Sequence, residues 1–167
     1  MSTIRRFAGP LAAVAAAGYC IEGAVVVRAP QPEHGWHASG YVVEVAFALA
    51  LAASIPLAAL LRARLAGAGF AAMLVSALAS IVAGGDALGP LFLAGVLASI
   101  AGLALLAVSA VRHRAESRWL GPVLVAGFVV SIALGDHGGG IVLGAVWAAA
   151  IPAFRDPEPA AAFTLAG

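Results

Sequence analysis

Lysine is missing from this chain, cysteine occurs once, and charged side chains of both signs together make up only 10% of its 167 residues. Each shortage excludes something. The single Cys20 leaves no internal disulfide, no CxxC redox pair and no Cys-rich zinc site, and its place in an apolar run suits a small packing residue. A net charge of +1 gives no basic surface for nucleic acid. The scarcity of charge excludes a water-soluble domain, in which about a quarter of residues are charged. Catalytic fingerprints are missing too: there is no GxSxG, P-loop, dinucleotide-binding glycine motif or HExxH.

What is present is apolar. Hydrophobic residues make up 63% of the chain and the mean hydropathy is +1.04. A single domain of this size in water could not hide so much apolar surface, so its solvent is lipid. All nine basic residues are arginine. With the alanine, glycine and valine bias, this resembles the product of a high-GC bacterial genome, and the expected location is a bacterial cytoplasmic membrane.

Crossing the hydrocarbon core takes about 20 apolar residues, with a range of about 17–25. The sequence predicts an all-α membrane bundle forming one domain over 1–167, with helices near 7–27, 41–61, 65–83, 90–111, 119–134 and 141–154. The N-terminal Arg5-Arg6 and apolar run resemble a signal peptide, but the run is too long for one and reads as a retained first helix. Pro90 suits the first position of the fourth helix. The last two segments are short, so four spans plus a re-entrant hairpin, or five spans, stand as alternatives to six.

Arginine distribution favours six. Loops on the cytoplasmic side carry excess arginine. With both termini cytoplasmic, Arg5, Arg6, Arg62, Arg64, Arg112, Arg114, Arg118 and Arg155 fall inside, and only Arg28 falls outside. Most acids sort oppositely: Glu22, Glu33, Glu44, Asp86 and Asp136 lie toward the outer side, and Glu116, Asp156 and Glu158 inside. Acids contribute little to insertion, so topology alone does not account for them.

Glu22 and Glu44 lie within predicted spans, each about one to two turns below the outer boundary. Ionisable groups there are costly and face the bundle interior or water. Asp86, Asp136 and His137 lie in glycine-rich turns at the same level and complete a candidate polar or proton site. Each turn residue is, alone, also an ordinary cap. His34, His37 and His137 are candidate ligands for a divalent metal, although their spacing matches no strong motif. Haem is disfavoured, since no histidine lies deep in a span. Arg112, Arg114 and Arg118 are a topology signal that could also hold lipid phosphates. Trp36, Tyr41 and Trp119 suit interface anchors.

Small residues recur at Ala94/Ala98/Gly102, Gly127/Ser131/Gly135 and Gly140/Gly144/Ala148, faces that serve either close packing within the bundle or a homo-oligomer or partner-subunit interface. Gly69-Phe70 and Gly127-Phe128, each followed by a Gly-Asp turn, form a faint internal echo. Three functions fit: movement or sensing of a proton, cation or small solute; an integral-membrane enzyme acting on a lipid or isoprenoid; or an accessory subunit of a membrane complex.

Overall fold

A computed structural model describes residues 2–28, 38–83, 89–112 and 119–155. The fold is all-helical. Six α-helices follow in order: α1 (Ser2–Arg28), α2 (Ala38–Leu60), α3 (Arg64–Ala83), α4 (Pro90–Arg112), α5 (Leu120–Leu134) and α6 (Gly139–Arg155). A single 3-10 turn, Gly135–His137, separates α5 from α6. The first helix starts at Ser2, ahead of the long apolar run that begins at Phe7, and α2 starts at Ala38 rather than Tyr41. Polar residues continue a helix whose backbone bonds are already nucleated.

Four helices, α1 to α4, are long and apolar enough to cross a membrane. At 1.5 Å per residue, α5 and α6 are about 22 and 25 Å long, against a hydrocarbon core of about 30 Å. Large apolar side chains such as Val82, Leu93, Leu97 and Leu105 face outward at 59–88% exposure. In water that surface would drive association; in lipid it is the ordinary outer face of a bundle. The helices thus fit a membrane protein.

Each helix packs on its neighbours in sequence, and α6 closes back on α1. Close backbone approaches give the register of each seam. A methyl group added at Gly18 of α1 would sit 2.6 Å from the Ala46 carbonyl oxygen of α2. One added at Gly144 of α6 would meet Cys20 and, at 2.7 Å, the Ala16 carbonyl oxygen of α1. At Gly102 of α4 it would overlap the backbone of Ala66 in α3. Gly121 of α5 meets Ala107 of α4 in the same way, and Gly127 meets Val146 of α6. In every seam, moving up one helix means moving down its partner, so all neighbours are antiparallel. Six antiparallel helices close a ring; an odd number would bring two parallel helices together at the closure.

The interior is filled by side chains from across the ring. Phe70 of α3 meets Phe128 of α5 edge-to-face, with centroids 6.0 Å apart. Tyr19 of α1 packs edge-on against Phe47 of α2 at 6.1 Å, and Phe47 continues to Phe92 of α4 at 6.3 Å. Such pairs prefer this geometry because ring edges are positive and faces negative. Trp147, Leu51, Leu57 and Met73 complete the core. The two Gly-Phe echoes therefore meet: their phenylalanines form one of the contacts between non-adjacent helices.

The small-residue stripes are used within the chain. Gly140 and Gly144 face α1, and Gly127 faces α6. On α4 the packing face is Gly95/Ser99/Gly102, with Ala94 exposed, so the predicted Ala94/Ala98/Gly102 stripe is rotated by about one residue from the real seam.

The α2–α3 turn has an unusual residue at its critical position. Ala63 N–H donates to the Ala58 carbonyl and Arg62 N–H to the Ala59 carbonyl, the Schellman pattern of a helix end. That pattern places Arg62 at φ 58°, a left-handed conformation usually taken by glycine.

Two stability outcomes are expected from detergent-solubilised thermal unfolding. Gly102→Ala should destabilise by about 1–3 kcal/mol, because its Cβ overlaps backbone that cannot swing away. Gly67→Ala, whose Cβ would lie 3.6 Å from the nearest atom, should be neutral or slightly stabilising. In the same assay Arg62→Gly should stabilise by about 1 kcal/mol by removing the left-handed penalty.

Candidate functional site

The ring divides the polar residues between its two ends. Arg6, Arg62, Arg64, Arg112 and Arg155 belong to helix ends that the antiparallel register gathers at one end. Arg28 and the Gly135–Gly138 turn lie at the other, where Gly138 approaches Val27 near the end of α1. About two turns in from that second end lie Glu22 and Glu44. Gly18 meets both Ala46 and Ala50, so Glu22, four residues further up α1, lies level with the 42–46 stretch of α2 whose middle residue is Glu44.

Glu22 is half-buried and is turned to α6 rather than out to lipid. Its Oε2 lies against Gly140, close enough that an added methyl there would overlap it. The same methyl would sit 2.6 Å from the Tyr19 carbonyl oxygen and 2.8 Å from the Gly23 nitrogen. Only glycine lets α1 and the start of α6 come this close. The first N–H groups of a helix have no partner within it, and together they carry about half a positive charge. Ile141 and Val142 N–H groups are satisfied by the Gly138 carbonyl. Glu22 thus places a carboxylate beside the positive end of α6.

Glu44 is half-buried, and its Oε2 is closed off from solvent. It shares a helical stripe with Leu51, Ile55 and Ala58, and Ile55 and Ala58 are the residues that meet Gly67 of α3. Counting along the antiparallel pair from that contact brings the fully buried Ser80 level with Glu44. Glu22, Tyr41, Glu44 and Ser80 each engage a neighbour within the protein.

Below Glu22 lies a second polar group. Tyr19 is 1% exposed. Side chains on a helix lean toward its N-terminus, so the Tyr19 ring points down the bundle toward the arginine end. There its hydroxyl sits beside Ser54 of α2, within electrostatic reach of Glu22, yet completes no hydrogen bond of good geometry among the described residues. The Ser54 hydroxyl donates to the Ala50 carbonyl at 2.7 Å, leaving its oxygen able to accept.

Of the other predicted site residues, His137 is exposed on the 3-10 turn. The backbone of Asp136 lies in the same turn, and its side chain is outside the described part. Asp86, His34, His37, Arg114 and Arg118 lie outside the described residues; Arg112 ends α4. Among the described residues there is no group of three or more His, Cys, Asp or Glu that could hold a metal ion. On the outer face of α1 and α2 runs an open groove of about 500 Å³, lined by apolar residues such as Val14, Ile21, Val45 and Leu49, with Tyr41 at its rim.

Sequence reasoning missed Tyr19, Ser54 and Gly140. A usable signal existed for Tyr19, which lies three residues before Glu22 on one helix face, deep in a span where tyrosine is uncommon away from the interface.

The fold and this polar layer define a class, a helical membrane bundle with half-buried acids near one end. Comparison of the chain with protein-family models, with curated proteins and with solved structures gave no match.

The Glu22–Gly140 contact has a direct test. Gly140→Ala should displace the carboxylate and lower the unfolding midpoint, with a cost of about 1–3 kcal/mol. Glu22→Gln keeps the shape but removes the charge facing the α6 N-terminus, and should cost a few tenths to about 2 kcal/mol at neutral pH.

Proposed function

We propose that this chain is a six-span protein of a bacterial cytoplasmic membrane, with its arginine end cytoplasmic, that moves or senses a proton, cation or small solute through the acids near its outer end. The orientation rests on the arginine bias, for which cytoplasmic retention is the known cause. Six spans are supported by the α1–α6 seam. Register along that seam pairs Gly140 with Glu22 and Gly23, and runs Arg155 down to the level of Phe7. A helix that accompanies α1 over most of its length suits a crossing better than a re-entrant turn.

The observation that carries the functional reading is Glu22 itself. A carboxylate in a span is costly. One serving only to reach the interface would lean outward, but this one is turned into the α1–α6 seam, with Glu44 at its level. Acids so held can take up and release a proton or a cation as the surrounding helices move. A lipid-processing enzyme would need polar groups facing its substrate, and the lipid-side groove offers only the Tyr41 hydroxyl.

Reconstitution in proteoliposomes tests the proposal. Flux of protons, sodium, potassium and small polar solutes should include one species that the wild type carries above empty vesicles. A Glu22→Gln/Glu44→Gln double variant should lose that flux while retaining its fold. Flux unchanged in the double variant would remove both acids from the mechanism.

A further inference from the structure

We propose that the species handled is the proton, and that the Tyr19 hydroxyl seated beside Ser54 is a second proton station, reached from Glu22 through a bound water. The inference rests on the reading of Glu22 as the outer site, and it extends that site toward the middle of the bundle.

The first argument is the state of the Tyr19 hydroxyl. Buried polar groups are almost always hydrogen-bonded, and the exceptions commonly mark a water. Tyr19 is almost fully buried, and its hydroxyl completes no bond of good geometry among the described residues. Ser54 of α2 lies beside it, and Glu22 stands three residues further along the same face of α1. A water between Glu22 and Tyr19 would satisfy the hydroxyl and join the two.

The second argument is position. Glu22 lies six residues from the end of α1, and Ser54 lies six residues from the end of α2. Because these helices are antiparallel, the Glu22–Tyr19–Ser54 series runs from the outer part of the bundle into its inner half. Below Ser54 the core is apolar and tight: Ala8, Ala12, Leu57, Ala58 and Ala66 are at most 2% exposed. Such a plug prevents a free leak and makes passage depend on movement at the inner end.

The third argument is capacity. A hard metal cation such as calcium takes about six to eight oxygen ligands. The Tyr19 ring instead packs against Phe47, within the apolar core that also holds Leu51 and Trp147. A proton needs only a chain of donors and acceptors. In the transfer, protonated Glu22 gives its proton to the water, and the water gives one to the Tyr19 oxygen. Tyr19 passes its own to Ser54 Oγ, and Ser54 releases its own to a water admitted below when the plug opens. The bridging water, Tyr19 and Ser54 each end with the hydrogens they began with; Glu22 ends as a carboxylate, the water below ends protonated, and one proton has moved inward. Among the described residues, the titratable groups near the level of Glu22 are Tyr19, Cys20 and Arg28 on α1, Glu44 and Tyr41 on α2, and His137 on the turn; the first turn of α6 contributes none.

The test uses the full chain in proteoliposomes with an entrapped pH dye and an imposed pH gradient, in choline salts with no sodium or potassium. The wild type is expected to carry protons, Glu22→Gln to carry none, and Tyr19→Phe and Ser54→Ala to be slower by about tenfold or more, as for loss of a proton-transfer group. Infrared difference spectra give a readout that a purely structural role would not move. The carbonyl band of protonated Glu22, assigned by its loss in Glu22→Gln, is expected to shift in Tyr19→Phe as the water chain is broken. Wild-type flux and an unmoved band in Tyr19→Phe and Ser54→Ala, with flux lost in Glu22→Gln, would overturn the relay and leave Glu22 in place. Flux that requires sodium or potassium would overturn the proton as the species. Flux indifferent to Glu22→Gln, or no flux in the wild type, would overturn the relay together with the transport reading beneath it. If Tyr19→Phe fails to fold, Ser54→Ala decides, since it leaves the aromatic packing intact.

Discussion

Close approach of helix backbones is the constraint on which the rest of this structure depends. In water, burial of apolar surface would hold six such helices together. In lipid that force is missing, because acyl chains are as apolar as the helix faces they would leave. Association then falls to dispersion contacts, each about 0.1–0.2 kcal/mol, and these require atoms to touch. Gly18, Gly102, Gly121 and Gly144 provide the contact by removing side chains from the seams. The first helix is the extreme case. Ala8, Ala12, Ala15 and Ala16 are buried, while Gly18 meets α2 and Gly23 meets α6. One helix therefore holds both ends of the ring.

Ring closure also creates the polar layer. Without α6 against α1, Glu22 would face lipid or an empty groove. With it, the carboxylate meets the start of a helix whose first residues, Gly139 and Gly140, have no side chains to stand in the way. The 3-10 turn helps deliver them. Gly138, at φ 98°, adopts a left-handed backbone and donates its N–H to the Gly135 carbonyl, which turns the chain sharply into α6. The glycines of this turn and of the first residues of α6 thus bring two helices within reach of one acid.

The apolar runs, the arginine pairs and the turns carried most of the fold, because span length and loop charge are local properties. Helix type and approximate limits followed from them. Which helices touch did not. The α1–α6 closure joins residues more than a hundred positions apart, and no local pattern in Gly140 or Glu22 announces it. The rotation of the α4 seam from Ala98 to Ser99 has a similar origin: at four-residue spacing, alanine and glycine are abundant on several faces, and only the partner helix selects one. Glu22 and Glu44 were legible as candidates through their cost in a span. Ser54 was not, because a serine hydroxyl in a helix can satisfy itself on the preceding turn, as Ser54 does with Ala50, and Tyr19 showed only through its depth in a span three residues before Glu22.

Glu22 has two roles under the proposed function, and their sizes limit each other. As an anchor, its charge beside the α6 N-terminus is worth about 0.3–1 kcal/mol, and up to about 2 in a partly buried setting. As a proton site, it loses that charge on each protonation. Binding a proton therefore weakens the α1–α6 closure by the same amount, a coupling at or below the lower part of the usual range of about 1–3 kcal/mol for linked sites. Such coupling biases a conformational equilibrium but does not invert it, since moving a population from 1:99 to 99:1 takes about 5.5 kcal/mol. The remainder must come from elsewhere. Glu44 at the same level is one source, through its own charge. The membrane potential is another, at about 2.3 kcal/mol per unit charge per 100 mV. Under the proposed function, a bundle of this size with one acid in the α1–α6 seam would respond to the proton together with a second input, and not to the proton alone.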